Sequence, residues 1–304
     1  MVYDVMIAGG GFAGLSAAMQ LARARRDVLL VDAGRPRNRF AAASHGFLGQ
    51  DGVAPDELMR RGLAQLSVYP TVDFFHGEAD EAAAVEGGFR IGLSDGTEAR
   101  ARRIVLATGV ADTLPLASMA PRWGVSVLHC PYCHGYEVRD RPLAVVAALA
   151  GAAHQALLLP DWGPTTLFTQ GVFEPTSEEA DQLAARGVRI ERTPVTELLG
   201  EGASTRALRL ADGREVAAEA VFTAPKTRMA SPLAEQLGCE FVEGMTGPHI
   251  LVDATQQTNV PGVFAAGDAA LAMHNATLAS AGGVLAGVAA HRSLVMAAAR
   301  GTRE

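Results

Sequence analysis

Cysteine is scarce in this sequence of 304 residues: Cys130, Cys133 and Cys239 are the three present. So small and odd a number excludes a disulfide framework. An export signal is lacking too. Tyr3-Asp4-Val5-Met6-Ile7-Ala8 begins a strand at once, with no basic leader or apolar segment before it. No uncharged apolar run reaches the ~18 residues expected of a membrane span; residues 143–153 are apolar but short, and His154-Gln155 follows. Nor is there a basic surplus. The formal net charge is -7 and the pI about 5.6, the wrong sign for binding a phosphate backbone. These absences predict a cytoplasmic protein with no membrane and no nucleic-acid partner.

What remains is an ordinary globular composition, 49% hydrophobic and 19% charged, which excludes disorder. The length allows two domains with sizeable cores. The 33 glycines and 15 prolines are scattered between periodic segments, so they mark turns and not low complexity. Residues 5–8 read as a strand, 9–14 as a tight turn, the Ala/Leu-rich stretch to Arg26 as a helix, and 27–31 as a second strand. Short strands over 72–75, 88–93 and 98–102 suggest a small β-meander, and 104–107 a separate buried strand. A second βαβ-like unit starts at 143–149 and returns at 166–169, with further strands near 188–191, 207–210 and 220–223. An apolar strand at 263–266 and an Ala/Gly-rich helix from about 277 to 298 close the chain. The expected fold is α/β: two Rossmann-like, three-layer (ββα) nucleotide-binding domains, the second inserted in the first. The boundaries expected are 1–114 with 244–304 for the first domain and 115–243 for the insert.

Three segments carry chemistry. Gly9-Gly10-Gly11-Phe12-Ala13-Gly14 fits G-x-G-x-x-G after a strand and before a helix. There Gly9 permits the tight turn, Gly11 lets a pyrophosphate approach, and Gly14 allows helix and strand to pack closely. Asp32, followed by Ala33, lies about twenty residues on at a strand end, placed to accept hydrogen bonds from ribose hydroxyls. Thr108-Gly109 ends a buried strand. Gly267-Asp268 ends another, where the carboxylate can hold a polyol such as the flavin ribityl chain. His274-Asn275-Ala276 then opens a helix whose N-terminal dipole suits the flavin pyrimidine. Together these favour FAD over NAD in the first site. The basic run Arg35-Pro36-Arg37-Asn38-Arg39, with Arg39 foremost, is a candidate for cofactor phosphate or adenosine, or else a solvated loop. His45 is a candidate flavin neighbour or a plain loop histidine.

The third segment is His129-Cys130-Pro131-Tyr132-Cys133-His134. Two thiols at this spacing close a small disulfide, the turn and imidazoles lower a thiol pKa, and His134 suits proton transfer near neutrality. C-x-x-C-H is also the c-type haem attachment pattern, and zinc held by the three cysteines and a histidine is a further alternative. Cys239 reads as a buried structural thiol.

The order of fingerprint, Ala-Thr-Gly, C-x-x-C, second nucleotide-like domain and Gly-Asp resembles the low-molecular-weight thioredoxin reductases over nearly the whole chain. Within that family, Cys130-Pro131-Tyr132-Cys133-His134-Gly135-Tyr136-Glu137 is similar to the flavin dithiol oxidases of gliotoxin, holomycin and romidepsin type. The resemblance implies FAD, a flavin-proximal role for Cys133, an exchange role for Cys130 and a homodimer. The substrate it implies is a small-molecule dithiol or, in the reductase alternative, a thioredoxin-like protein. Thioredoxin reductases usually carry an acid where His134 stands, which favours the oxidase. NADPH is doubtful. Where its Gly-x-Gly turn is expected the chain has Ala147-Ala148-Leu149, and no arginine pair follows Thr169-Gln170-Gly171. A flavin- or metal-binding module without catalysis is the remaining alternative.

Overall fold

The computed structural model describes residues 2–299. In chain order its first half comprises β1 (Val2–Ala8), α1 (Phe12–Arg23), β2 (Val28–Asp32), α2 (Pro55–Leu66), β3 (Val72–His76), β4 (Ala79–Val85), β5 (Gly88–Leu93) and β6 (Glu98–Leu106). Then follow β7 (Val110–Thr113), β8 (Val127–Leu128), α3 (Pro131–His134), β9 (Leu143–Val146), α4 (Ala152–Leu158), β10 (Thr165–Phe168), α5 (Ser177–Ala185) and β11 (Arg189–Glu191). The rest is β12 (Val195–Leu199), β13 (Ala207–Leu210), β14 (Glu215–Ala217), β15 (Ala220–Phe222), β16 (Lys226–Met229), α6 (Leu233–Gln236), β17 (Phe241–Glu243), β18 (Pro248–Ile250), β19 (Val263–Ala265) and α7 (Ala276–Ala299).

The chain forms two compact units: Met1–Arg37, Asp56–Ala111 and Arg228–Glu304 make one, Asn38–Pro55 and Asp112–Thr227 the other. These bounds differ from those expected. Gln236 explains the shift at the C-terminal side: its amide donates to Asp80 O and accepts from Ala82 N, tying α6 to β4 of the first unit. The Asn38–Pro55 loop belongs to the second unit because Phe40 lies against Gly124, where an added Cβ would sit 2.7 Å from that of Phe40.

In the first unit a parallel sheet runs β3-β2-β1-β6-β19. Val5, Met6 and Ile7 of β1 are fully buried, because helices cover one face and the β4–β5–β6 layer the other. Two expectations are corrected here. Residues 72–76 belong to the parallel sheet, and the antiparallel meander is β4-β5-β6. The separate strands expected at 98–102 and 104–107 are one strand, β6. Its first half pairs with β5 and its second half with β19.

Helix α7 is long and apolar enough to cross a membrane by length and composition, contrary to the expectation that no apolar run reaches that length. Its Gly283 and Gly287 face α1, where added Cβ atoms would fall 2.1 Å from Ala13 O and 2.7 Å from Ala17 O. Small residues thus let two backbones touch, and the apolar face is used for packing inside the unit.

The second unit has a parallel sheet ordered β11-β10-β9-β15-β8 and an antiparallel β12-β13-β14 sheet. Leu143, Val145, Leu167 and Phe222 fill the core on one side of the parallel sheet, and Val127, Ala144 and Phe168 fill it on the other.

Candidate active site

Strand order in the first unit reverses between β1 and β6, since β2 and β3 extend one way from β1 while β6 and β19 extend the other. The loops after these two strands meet there, at the position where open α/β sheets bind nucleotides. Each glycine of the first loop has a reason. Gly9 has φ +100°, and its missing Cβ would lie 2.3 Å from Ala107 O, so the turn closes directly on the Thr108-Gly109 loop. A Cβ on Gly14 would lie 1.8 Å from Gly9 O, which is how α1 packs against the strand end. Gly10 N donates to Asp32 Oδ1 at 3.1 Å. A carboxylate has about four acceptor sites, so Asp32 anchors the turn with capacity left for a sugar hydroxyl. Gly11 differs: nothing lies within 4 Å of a Cβ built on it. That clear side, at the N-terminus of α1, is the cradle a diphosphate requires.

The C-terminal half of this site is also assembled. Gly267, at φ +73°, would place a Cβ 2.9 Å from that of Ala13, bringing the Gly267-Asp268 turn onto α1. Asn275 caps α7, its Oδ1 accepting from Thr277 N at 2.8 Å and Leu278 N at 3.3 Å. Arg37 joins this group: its Nη1 donates to Asp268 Oδ2 at 2.9 Å and lies 2.6 Å from His274 Nδ1. Phe12, Ala13 and Ala276 sit in the first turns of their helices, and exposed Ala33 follows Asp32.

In the second unit the cysteine pair follows edge strand β8. Cys130 and Cys133 are joined by a disulfide, with Cα atoms 5.3 Å apart. Cys130 is the N-cap of α3, Pro131 presets the first helical φ, and Cys133 N donates back to Cys130 O at 3.2 Å. The disulfide therefore straddles one helical turn. His129 O is held by Gln155 Nε2 at 2.7 Å. Tyr132 is exposed and packs edge-on against Trp162, with centroids 5.7 Å apart. Both ring nitrogens of His134 are buried without a hydrogen-bond partner. Burial pushes its pKa below the ordinary value; Glu137 opposes that and His45 adds to it. A neutral imidazole beside a disulfide is suited to accept a thiol proton.

At the expected nucleotide turn of this unit Ala147 is 1% exposed, and the helix after the turn, α4, has seven residues. Gln170, where a phosphate-binding arginine would stand, gives its amide to the backbone of Val195 in both directions, at 3.1 and 2.6 Å.

The pattern of the family described as pyridine nucleotide-disulphide oxidoreductase matches residues 3–283. The chain belongs to this family. As a thioredoxin reductase-like oxidoreductase of that family it is an FAD-dependent thiol–disulfide enzyme, and the cradle at Gly11 fits the cofactor. It is 31% identical to thioredoxin reductase tcpT of Claviceps purpurea over 97% of this chain and 95% of that one. It is 29% identical to thioredoxin reductase sirT of Leptosphaeria maculans, over 94% and 92%. Among solved structures, an oxidoreductase from Agrobacterium tumefaciens is 47% identical with a TM-score of 0.93, covering 97% of this chain and 99% of that one. HlmI is 38% identical with a TM-score of 0.88, covering 98% and 95%.

The oxidoreductase gathers Gly9–Gly14, Asp32, Ala33, Thr108, Gly109, Gly267, Asp268, His274, Asn275 and Ala276 in one unit, and Cys130, Cys133 and His134 in the other. Arg39 and His45 fall in the second unit and not with the dinucleotide loops. The Arg39 guanidinium stacks on Phe40, 4.1 Å from the ring centroid. One residue was missed. His76 pairs in register with Asp32 at the adjacent strand end and lines the same groove, together with Arg35. Arg37, within the basic run noted from the sequence, reaches Asp268 across 231 positions, a pairing that only the fold reveals. Cys239 is buried, and burial raises its thiol pKa.

Proposed function

We propose that this oxidoreductase is a dithiol oxidase that closes a disulfide in a small-molecule dithiol, acting as a cytoplasmic homodimer. The observation that carries this reading is the Ala147-Ala148-Leu149 turn, whose buried Ala147 and short following helix argue against an NADPH electron supply. Without that donor, electrons enter from thiols. The similarity to the dithiol oxidases around Cys130–Glu137 supports the same direction.

A substrate thiolate attacks Sγ of Cys130; the Cys130–Cys133 bond breaks and Cys133 leaves as a thiolate. The second substrate thiol, deprotonated by His134, attacks its partner sulfur in the mixed disulfide and releases Cys130. The substrate has lost two electrons and two protons, and the cysteine pair has been reduced. FAD, when bound, would supply a two-electron acceptor for the reduced pair, with oxygen or another acceptor as the final oxidant. In the first unit Gly11 and α1 would hold the diphosphate, Asp32 the ribose and Asp268 the polyol chain.

The second reading is a thioredoxin-type protein disulfide reductase fed by NADPH or a donor such as ferredoxin; the thioredoxin reductase names of tcpT and sirT favour it. Anaerobic titration of the flavin band separates the two. Bleaching by a small dithiol but not by NADPH is expected. Bleaching by NADPH, with none by dithiol, would overturn the oxidase reading.

A further inference from the structure

The basic run after β2 does not form a single cationic patch. Arg35 pairs with Glu78, next to β3, and both side chains are well exposed. Arg37 goes to the other side of the sheet. Its Nη1 donates to Asp268 Oδ2 at 2.9 Å, and only 18% and 19% of the two side chains are exposed. In the order β3-β2-β1-β6-β19, three inter-strand steps separate β2, which Arg37 follows, from β19, which Asp268 follows. At ~4.8 Å a step that is roughly 14 Å. The segment from Asp32 to Arg37 therefore crosses the switch point between β1 and β6, and its arginine joins the two halves of the cofactor site.

The same nitrogen serves a second group. Arg37 Nη1 lies 2.6 Å from Nδ1 of His274, the residue before the Asn275 cap of α7. A guanidinium has donors only and keeps its proton, so Nδ1 is the acceptor at this contact. His274 is thereby a neutral imidazole with its proton on Nε2. Nη1 carries two hydrogens, and Asp268 and His274 take both. A phosphate could reach this nitrogen only by displacing one of them. We propose that Arg37 is a positioning residue for the flavin end of the cofactor, and not a phosphate ligand. It fixes one oxygen of Asp268, which leaves the other for the polyol chain. It also sets the tautomer of His274, which leaves an N–H donor at the start of α7. The proposal rests on the assignment of the polyol to Asp268 and is independent of the direction of electron flow.

The test compares FAD with ADP, which shares the diphosphate end and lacks the polyol and the flavin. Both are titrated calorimetrically into flavin-free protein for wild type, Arg37→Met and Asp268→Ala. Arg37→Met should weaken FAD at least about tenfold, the loss of one charge-assisted hydrogen bond to the polyol. ADP affinity should not change. Equal weakening of both ligands would overturn the inference, because a phosphate ligand or a generally loosened fold gives that result. Unchanged FAD affinity in Arg37→Met, with the loss present in Asp268→Ala, would overturn it as well. If Asp268→Ala itself keeps its FAD affinity, the polyol assignment fails and the inference falls with it. A second readout needs no substitution at Arg37 and stands even where Arg37→Met does not fold. Nitrogen NMR of isotope-labelled histidines in the holoenzyme, with the His274 signals assigned by their loss in His274→Gln, should show the Nε2–H tautomer at neutral pH. An imidazolium or the Nδ1–H tautomer would overturn the proposal.

Discussion

Gly9 and Gly11 are two positions apart in one turn, yet alanine at each should fail for different reasons. At Gly9 an alanine must hold φ +100° and push its Cβ against Ala107 O at 2.3 Å, Ala107 C at 2.7 Å and Thr108 Cα at 3.1 Å, all backbone atoms. The left-handed strain costs roughly 1–3 kcal/mol and the overpacking about 1–3 kcal/mol. The sum, about 2–6 kcal/mol, is a large share of the ~5–15 kcal/mol by which domains are stable. At roughly 2 °C per kcal/mol for a chain of this size, Gly9→Ala should lower the Tm of flavin-free protein by about 4–12 °C. Gly11 has φ -75° and open space around its missing Cβ. Gly11→Ala should therefore change the flavin-free Tm by no more than about 2 °C, the cost of a poorer N-cap. FAD affinity should fall at least about tenfold, or ~1.4 kcal/mol, because the methyl occupies the side a diphosphate approaches. Scanning fluorimetry of the flavin-free proteins and a fluorescence titration with FAD read both quantities. Wild-type FAD affinity in Gly11→Ala would refute the assignment of the cradle. An unchanged Tm in Gly9→Ala would refute the account of the turn.

Cys239 is buried with a raised thiol pKa, so native, prereduced protein should present two reactive thiols to Ellman's reagent and a third only in denaturant. The folded-state pKa of His134 is depressed by burial, so the unfolded chain takes up its proton first as pH falls through the ordinary ~6.5. Stability should be level above that pH and decline below it towards the folded pKa, and His134→Gln should flatten the decline in urea melts taken across this range.

Much of the first site was legible because its requirements are local. Gly9 and Gly14 must lack a Cβ to let backbone meet backbone, and such a demand leaves a mark in sequence. The C-x-x-C was equally plain, since its spacing is one helical turn. What escaped was non-local. Strand β4, an Ala-rich segment with Asp80 and Glu81, has weak β propensity; it is held by β5 and by the Gln236 amide, 154 positions from Ala82. His76 joined the groove through strand register, and Arg37 joined Asp268 by tertiary proximity. The loop carrying His45 follows the first βαβ unit in sequence but packs with the other unit, so its neighbours Asp51 and Glu137 could not be inferred from its place in the chain.

The dual pairing of β6 also imposes an order on biosynthesis. Ile104, Val105 and Leu106 wait for Val263, Phe264 and Ala265, which leave the ribosome 159 residues later. At ~5–20 residues per second that is roughly 8–30 s, during which this stretch of β6 offers an open sheet edge. Both segments of the second unit, Asn38–Pro55 and Asp112–Thr227, emerge before β19 does. The inserted unit is thus complete in sequence while its host is still missing a strand, so a nascent chain stalled before residue 263 carries the disulfide segment but lacks a finished cofactor sheet.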